Sequence, residues 1–220
     1  MKITSALLFL VTALVASAAD KPAAPIATPA DAPACCQKAP VAKTTDACCE
    51  NPVAATPFSK ESIYQLDGQF TNDAGQPFAL SSLRGRPVVM DMFFASCGYA
   101  CPLTVTDMLA LQKQLPAELR DTTAFVLVSF DVARDTPEAL AKYRAQRQLG
   151  SNWILLHGDD NSVRELAALL GVQYRQTADG AFSHSNQIAI LNREGEIVHE
   201  RKGLQGGLDE SALALVQNSK

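Results

Sequence analysis

The stretch Phe93-Phe94-Ala95-Ser96-Cys97-Gly98-Tyr99-Ala100-Cys101-Pro102 sets two cysteines four positions apart, after an apolar run and before a proline that opens a helical pattern. Val88 to Phe94 reads as a buried strand, apolar throughout except for Asp91. Pro102 suits the first turn of the following helix, where a missing N–H costs nothing. A buried strand feeding directly into a helix restricts the chain to an α/β fold and puts Cys97 and Cys101 at the junction. A helix N-terminus there lowers thiol pKa and favours the reactive thiolate. Such a pair exchanges disulfides or holds a soft metal ion between two thiolates. A static structural disulfide is the alternative, but so short a loop adds little stability.

The chain has 220 residues, enough for one well-buried domain plus appendages. Its net charge of −4 and its lack of any basic cluster argue against a nucleic-acid or anionic-membrane surface. Lys2, the apolar run Ala6 to Val15 and Ala16-Ser17-Ala18 have the layout of a signal peptide spanning residues 1–19, cleaved after Ala18 or Ala19. An uncleaved anchor is the alternative, although ten apolar residues fall short of the roughly 20 a span needs. A periplasmic or otherwise exported location is expected, an oxidising setting where disulfides persist. With 47% hydrophobic residues the chain can build a core without disulfide staples, so its six cysteines are read as chemical rather than structural.

Residues 20–56 are rich in Ala and Pro and poor in large apolar side chains, and read as a disordered tether. They carry Cys35-Cys36 and Cys48-Cys49 in similar settings, a weak internal repeat. The two pairs can collect metal, form a disulfide clamp within the tail, exchange with Cys97 and Cys101, or have no role. Adjacent cysteines bridge only with strain, so a bridge would run between the pairs.

From residue 57 to 220 strand and helix patterns alternate. A hairpin is expected over Gln69 to Phe78. Strands are expected at Val88–Phe94, Ala124–Phe130, Trp153–Leu156, Gln187–Leu191 and Glu196–His199. Helices are expected at Leu103–Leu115, from Thr136-Pro137 onward, at Ser162–Leu170 before Gly171, and at Leu208–Val216. A terminal hairpin and helix after βαβ units gives a mixed central sheet flanked by helices, the outline of a thioredoxin-like fold.

Four segments then occur in order: Gly75 to Leu80 running into Leu83-Arg84-Gly85-Arg86-Pro87; Cys97-x-x-x-Cys101-Pro102; Val128-Ser129-Phe130-Asp131 through Arg134-Asp135-Thr136-Pro137; and Ser183-His184-Ser185 before a late strand. In these the chain resembles the Sco/SenC family of exported, thioredoxin-fold copper proteins, from about Phe58 to the C-terminus. The resemblance implies copper, Cu(I) or Cu(II), held by Cys97, Cys101 and His184. It also implies delivery to a copper-receiving protein such as a cytochrome oxidase subunit, or reduction of that partner's cysteines. The chain departs from the family pattern at Gly98-Tyr99-Ala100, where an Asp is usual between the cysteines. Val132 replaces a proline after Asp131, and Ser183 replaces an Asp before the histidine.

Asp91, six residues before Cys97, resembles the buried acid of thioredoxin and is a candidate proton shuttle for a Cys97/Cys101 redox pair. The alternative for it is a buried acid paired with a hydroxyl or lysine. With Asp91 as the shuttle, the chain would be a thiol-disulfide oxidoreductase acting on other thiol proteins. A peroxidase is disfavoured, because no Thr-Pro-x-x-Cys segment is present. Asp131 is a candidate partner of the ligands, and Asp135 is expected to cap the turn and helix start. His157 and His199 read as structural, and Phe93 and Phe94 as strand core. Tyr99 either shields the site or faces a partner. No helix shows a long apolar seam, so a monomer is expected.

Overall fold

The computed structural model describes residues 56–219. The expected signal peptide, and the expected tether up to residue 55 with its four cysteines, lie outside them. Asn72 builds the first hairpin: its side-chain oxygen accepts from the amides of Ala74 and Gln76, and Gly75 takes a positive φ. This turn joins β1 (Phe70–Asn72) to β2 (Pro77–Phe78). β3 (Val88–Phe93) and β4 (Ala124–Ser129) are buried along their whole length, as apolar runs flanked on both faces should be. Between them lie α1 (Ala100–Gln114) and α2 (Ala117–Thr122).

Thr136 caps α3 (Pro137–Arg147) with Pro137 in its first turn, as the sequence indicates. β5 (Trp153–Gly158) leads to α4 (Asp160–Leu170), which Gly171 ends in the left-handed conformation. There follow β6 (Tyr174–Gln176), β7 (Phe182–His184), β8 (Gln187–Leu191), β9 (Ile197–Lys202) and α5 (Leu208–Gln217). Among the described residues no helix is long and apolar enough to cross a membrane.

The main sheet runs β2-β1-β5-β4-β3-β8-β9. β3, β4 and β5 are parallel, and β1, β2, β8 and β9 pair antiparallel. This is the expected mixed sheet with helices packed on it. Phe125 stacks on Trp153 in the cross-strand row that begins at Val89, and Trp153 donates its indole N–H to Gln112 of α1. One face of the sheet is thereby tied to α1. β6 and β7 stand apart as a separate two-stranded sheet.

Some boundaries differ from the sequence reading. α1 begins at Ala100, not Leu103, because a proline at the third helical position still lies among the amides that need no partner. Cys101 is therefore inside the helix. β9 extends to Lys202 because Arg201, which looks like a surface residue, is buried and paired with Asp107 of α1. β5 continues through His157 and Gly158, which pair with Thr71 and Phe70.

Candidate metal centre

After β3 the chain turns at Phe94, whose carbonyl accepts from the Cys97 amide (3.1 Å). Tyr99 then precedes the first residue of α1. Cys97 is half-buried, whereas Cys101 is only 1% exposed. The Cys101 amide points at Cys97 Sγ, 3.4 Å away. Burial alone would raise the Cys97 thiol, but the amides of Cys101, Tyr99 and Ala100 together with the Cys101 thiol outweigh it and hold it below the ordinary value. Burial pushes Cys101 well above that value, and the neighbouring Cys97 and Asp91 charges add to this. The helix start therefore presents one activated, accessible thiol and one buried thiol.

His184 ends β7 and brings Nε2 to 3.7 Å from Cys101 Sγ. Its Nδ1 lies 3.0 Å from the Ser185 carbonyl oxygen. A carbonyl only accepts, so in the neutral ring this contact puts the proton on Nδ1 and leaves Nε2 as the nitrogen able to bind a metal. The donor atoms of Cys97, Cys101 and His184 all lie within 4.8 Å of one another. One ion with bonds of about 2.0–2.3 Å to nitrogen and sulfur spans nearly that distance. Two sulfurs and one imidazole suit a soft or borderline metal.

Two carboxylates hold this arrangement from below. Asp135 is buried and accepts from the Ala95 amide (2.7 Å) and the Ser129 hydroxyl (2.6 Å). It thus grips the chain just before Cys97. This corrects the expectation that Asp135 caps the helix start; Thr136 does that. Burial raises the Asp135 pKa, opposed by those same hydrogen bonds. Asp131 does not reach the ligands directly. It pairs with Arg134, whose guanidinium donates to the Gly180 carbonyl in the β6–β7 turn and lies over Phe182. Asp131 therefore acts on the His184 hairpin through Arg134.

The aromatic surroundings of His184 escaped the sequence reading. Phe130 meets the rings of His184 (5.1 Å between centroids), Phe182 (5.1 Å) and Tyr174 (4.9 Å, stacked), and Phe94 meets His184 at 5.9 Å. Phe94 is thus a wall of the site, while Phe93 is core against Tyr143. Asp179-Gly180 between Tyr174-Arg175-Gln176 and Phe182-Ser183-His184 was the available hairpin signal. Tyr99 is 74% exposed and does not shield the site. His157 and His199 lie on β5 and β9 and are not part of the Cys97–Cys101–His184 group.

Asp91 sits in β3, 4% exposed, in a cross-strand row with Ile188 and Arg201. Burial holds its pKa well above the carboxylate range, against a backbone amide at Met92 and the Arg201 charge, with Cys97 raising it further. Between the unfolded value of about 3.9 and this raised value, the folded chain keeps a proton that the unfolded chain has lost. Stability should therefore fall as pH rises through that window. Asp91→Asn should remove this dependence, read as urea midpoints of wild type and variant across pH. Parallel curves would refute it.

The SCO1/SenC family pattern matches residues 59–213. The chain belongs to the SCO1/SenC family. The "Putative copper-binding protein" of Stutzerimonas stutzeri is 33% identical over 142 residues, covering 63% of this chain and 68% of that one. The fold matches Bradyrhizobium japonicum ScoI, solved with copper bound, at a TM-score of 0.56 and 21% identity over 69% of this chain and 96% of that one. It matches BsSco, a member of the Sco family of cytochrome c oxidase assembly proteins whose structure identified a disulfide switch, at a TM-score of 0.59 and 24% identity over 68% and 90%. These two likenesses bear on the fold, and it is the thioredoxin-like one read from the sequence.

Proposed function

We propose that this chain is an exported copper carrier. It binds one copper ion through Cys97, Cys101 and His184, and passes it to a partner such as the copper-receiving subunit of a cytochrome oxidase. The signal of residues 1–19 would direct it to the periplasm, and residues 20–56 would tether the domain of residues 57–220, acting as a monomer. The observation that carries this reading is the convergence of two sulfurs and an imidazole within 4.8 Å. The Stutzerimonas stutzeri relative is named as copper-binding, and Bradyrhizobium japonicum ScoI was solved with copper bound. Transfer is ligand exchange. Each acceptor thiol that binds the ion yields its proton to the cysteine thiolate it displaces, so no electrons move. Oxidation of Cys97 and Cys101 to a disulfide removes both thiolates and so gates loading.

The test is anaerobic Cu(I) titration of the reduced full chain with Cys35, Cys36, Cys48 and Cys49 changed to Ser, against a competing chelator. One tightly held equivalent is expected. No such equivalent would overturn the reading.

A second reading, a thiol-disulfide oxidoreductase, draws on the contrast between half-exposed Cys97 and buried Cys101, two unbridged thiols in one turn. Cys97 thiolate would attack a partner disulfide and release one partner thiolate. Cys101 would then resolve the mixed disulfide, with Asp91 moving its proton and two electrons passing to the partner. A Cys97/Cys101 potential too oxidising to reduce a partner disulfide would exclude it.

A further inference from the structure

The turn between β4 and α3 touches both halves of the metal centre. Ser129, Asp131 and Asp135 are all buried there. The Ser129 hydroxyl accepts from the Asp131 amide (3.0 Å) and donates to Asp135 Oδ2 (2.6 Å). The Asp131 carbonyl in turn accepts from the amides of Arg134 (3.3 Å) and Asp135 (3.0 Å). These bonds close into a ring, and a buried polar ring whose members are paired is rigid. Residues 129–135 therefore move as one piece.

From this piece one arm reaches the cysteines. Asp135 Oδ2 also accepts from the amide of Ala95, two residues before Cys97 (2.7 Å), and the Phe130 amide donates to the Phe93 carbonyl (3.0 Å). The other arm reaches the histidine. Arg134 is paired with Asp131, donates to the Gly180 carbonyl at the hairpin tip (2.6 Å) and lies over Phe182, two residues before His184. β7 belongs to the separate two-stranded sheet, so among the described residues no strand ladder ties His184 to the cysteines. Their separation has to be set by side chains.

We propose that residues 129–135 are a two-armed clamp that sets the spacing between the thiols and the imidazole, with Asp135 positioning Cys97 and Arg134 positioning His184. The two arms act separately on a metal. Loosening the Asp135 arm displaces a thiolate and weakens Cu(I) and Cu(II) alike. Loosening the Arg134 arm displaces the imidazole alone. Cu(I), which two thiolates can hold, then suffers less than Cu(II). Ser129 is the joint of the clamp: it hydrogen-bonds to neither ligand, yet it governs both. What the clamp does for a metal rests on the copper reading above; the spacing itself does not.

The test is amide hydrogen exchange on the reduced, metal-free full chain in which Cys35, Cys36, Cys48 and Cys49 are Ser, followed by copper titration. Thr177 and Gly180, whose amides bond to the Ala181 and Thr177 carbonyls, report the hairpin; Ala95 and Cys97 report the cysteine segment. Arg134→Gln should speed exchange about tenfold at the first pair and less than about twofold at the second. Asp135→Ala should do the reverse, and Asp135→Asn, whose amide oxygen can replace Oδ2, should keep the grip on Ala95. Ser129→Ala removes one buried oxygen and should speed both pairs, so it decides the matter even where Asp135→Ala does not fold. In chelator competition Arg134→Gln should weaken Cu(II) about tenfold and Cu(I) less than about threefold. Unchanged exchange in the hairpin of Arg134→Gln, a Ser129→Ala effect confined to one pair, or equal losses of Cu(I) and Cu(II) in Arg134→Gln would overturn the clamp. The split in exchange without any copper binding would overturn the copper reading and support the clamp.

Discussion

Replacing His184 by alanine is expected to lower Cu(I) affinity by about 100-fold or more and to abolish Cu(II) binding. Loss of mere supporting groups around a metal ligand costs about 10- to 100-fold, and His184 supplies a donor atom itself, with Nε2 3.7 Å from Cys101 Sγ. The two oxidation states should respond differently. Cu(I) is soft and tolerates two thiolates alone, so the variant keeps a weak site. Cu(II) asks for the nitrogen as well. The side chain is only partly buried and leaves no large hole, so the unfolding midpoint should move little. Competitive titration of wild type and variant, with the thiolate-to-copper absorption of the Cu(II) form as a second readout, checks this. Equal affinities would show that His184 is a bystander and would shift weight to the redox reading.

How much of this was legible beforehand depends on whether the signal was local. β3 and β4 announce themselves as apolar runs, and Thr136-Pro137 marks the start of α3 without tertiary help. The cysteine pair is legible for the same reason, since strand, loop and helix are contiguous. His184 lies 83 residues beyond Cys101; only the family resemblance joined it to the pair. α2 was missed because none of its residues is buried and its six positions carry no periodic apolar face. β6 and β7 were missed because they are three residues each, half polar, and outside the main sheet. The role of Asp135 could not be read locally at all. Beside Thr136-Pro137 it looks like part of a helix start, and only the parallel pairing of β3 with β4 brings the Ala95 amide to it.

Phe130 carries the other large expected effect, because three rings of the hairpin that presents His184 gather on it. A two-stranded sheet is marginal in water by itself. Its tethers include the Arg134 to Gly180 hydrogen bond, the Gln173–Ser185 backbone pairing, Arg164 over Tyr174, Phe94 against Phe182 and His184, and the rings of Tyr174, Phe182 and His184 gathered on Phe130. Phe130 is 2% exposed, so Phe130→Ala opens a cavity in packed surroundings and should cost about 3–5 kcal/mol of folding stability. It should also release the hairpin and weaken copper binding in the molecules that remain folded. Phe130→Leu separates the two effects. It keeps most of the volume but removes the flat surface on which Tyr174 stacks, so it should fold with a smaller loss and still bind copper less tightly than wild type. Chemical denaturation gives the stability, and chelator competition under folding conditions gives the affinity. If both variants lose stability while their folded fraction binds copper as tightly as wild type, Phe130 is core only. His184 would then be positioned by its own backbone and by the bond from Nδ1 to Ser185.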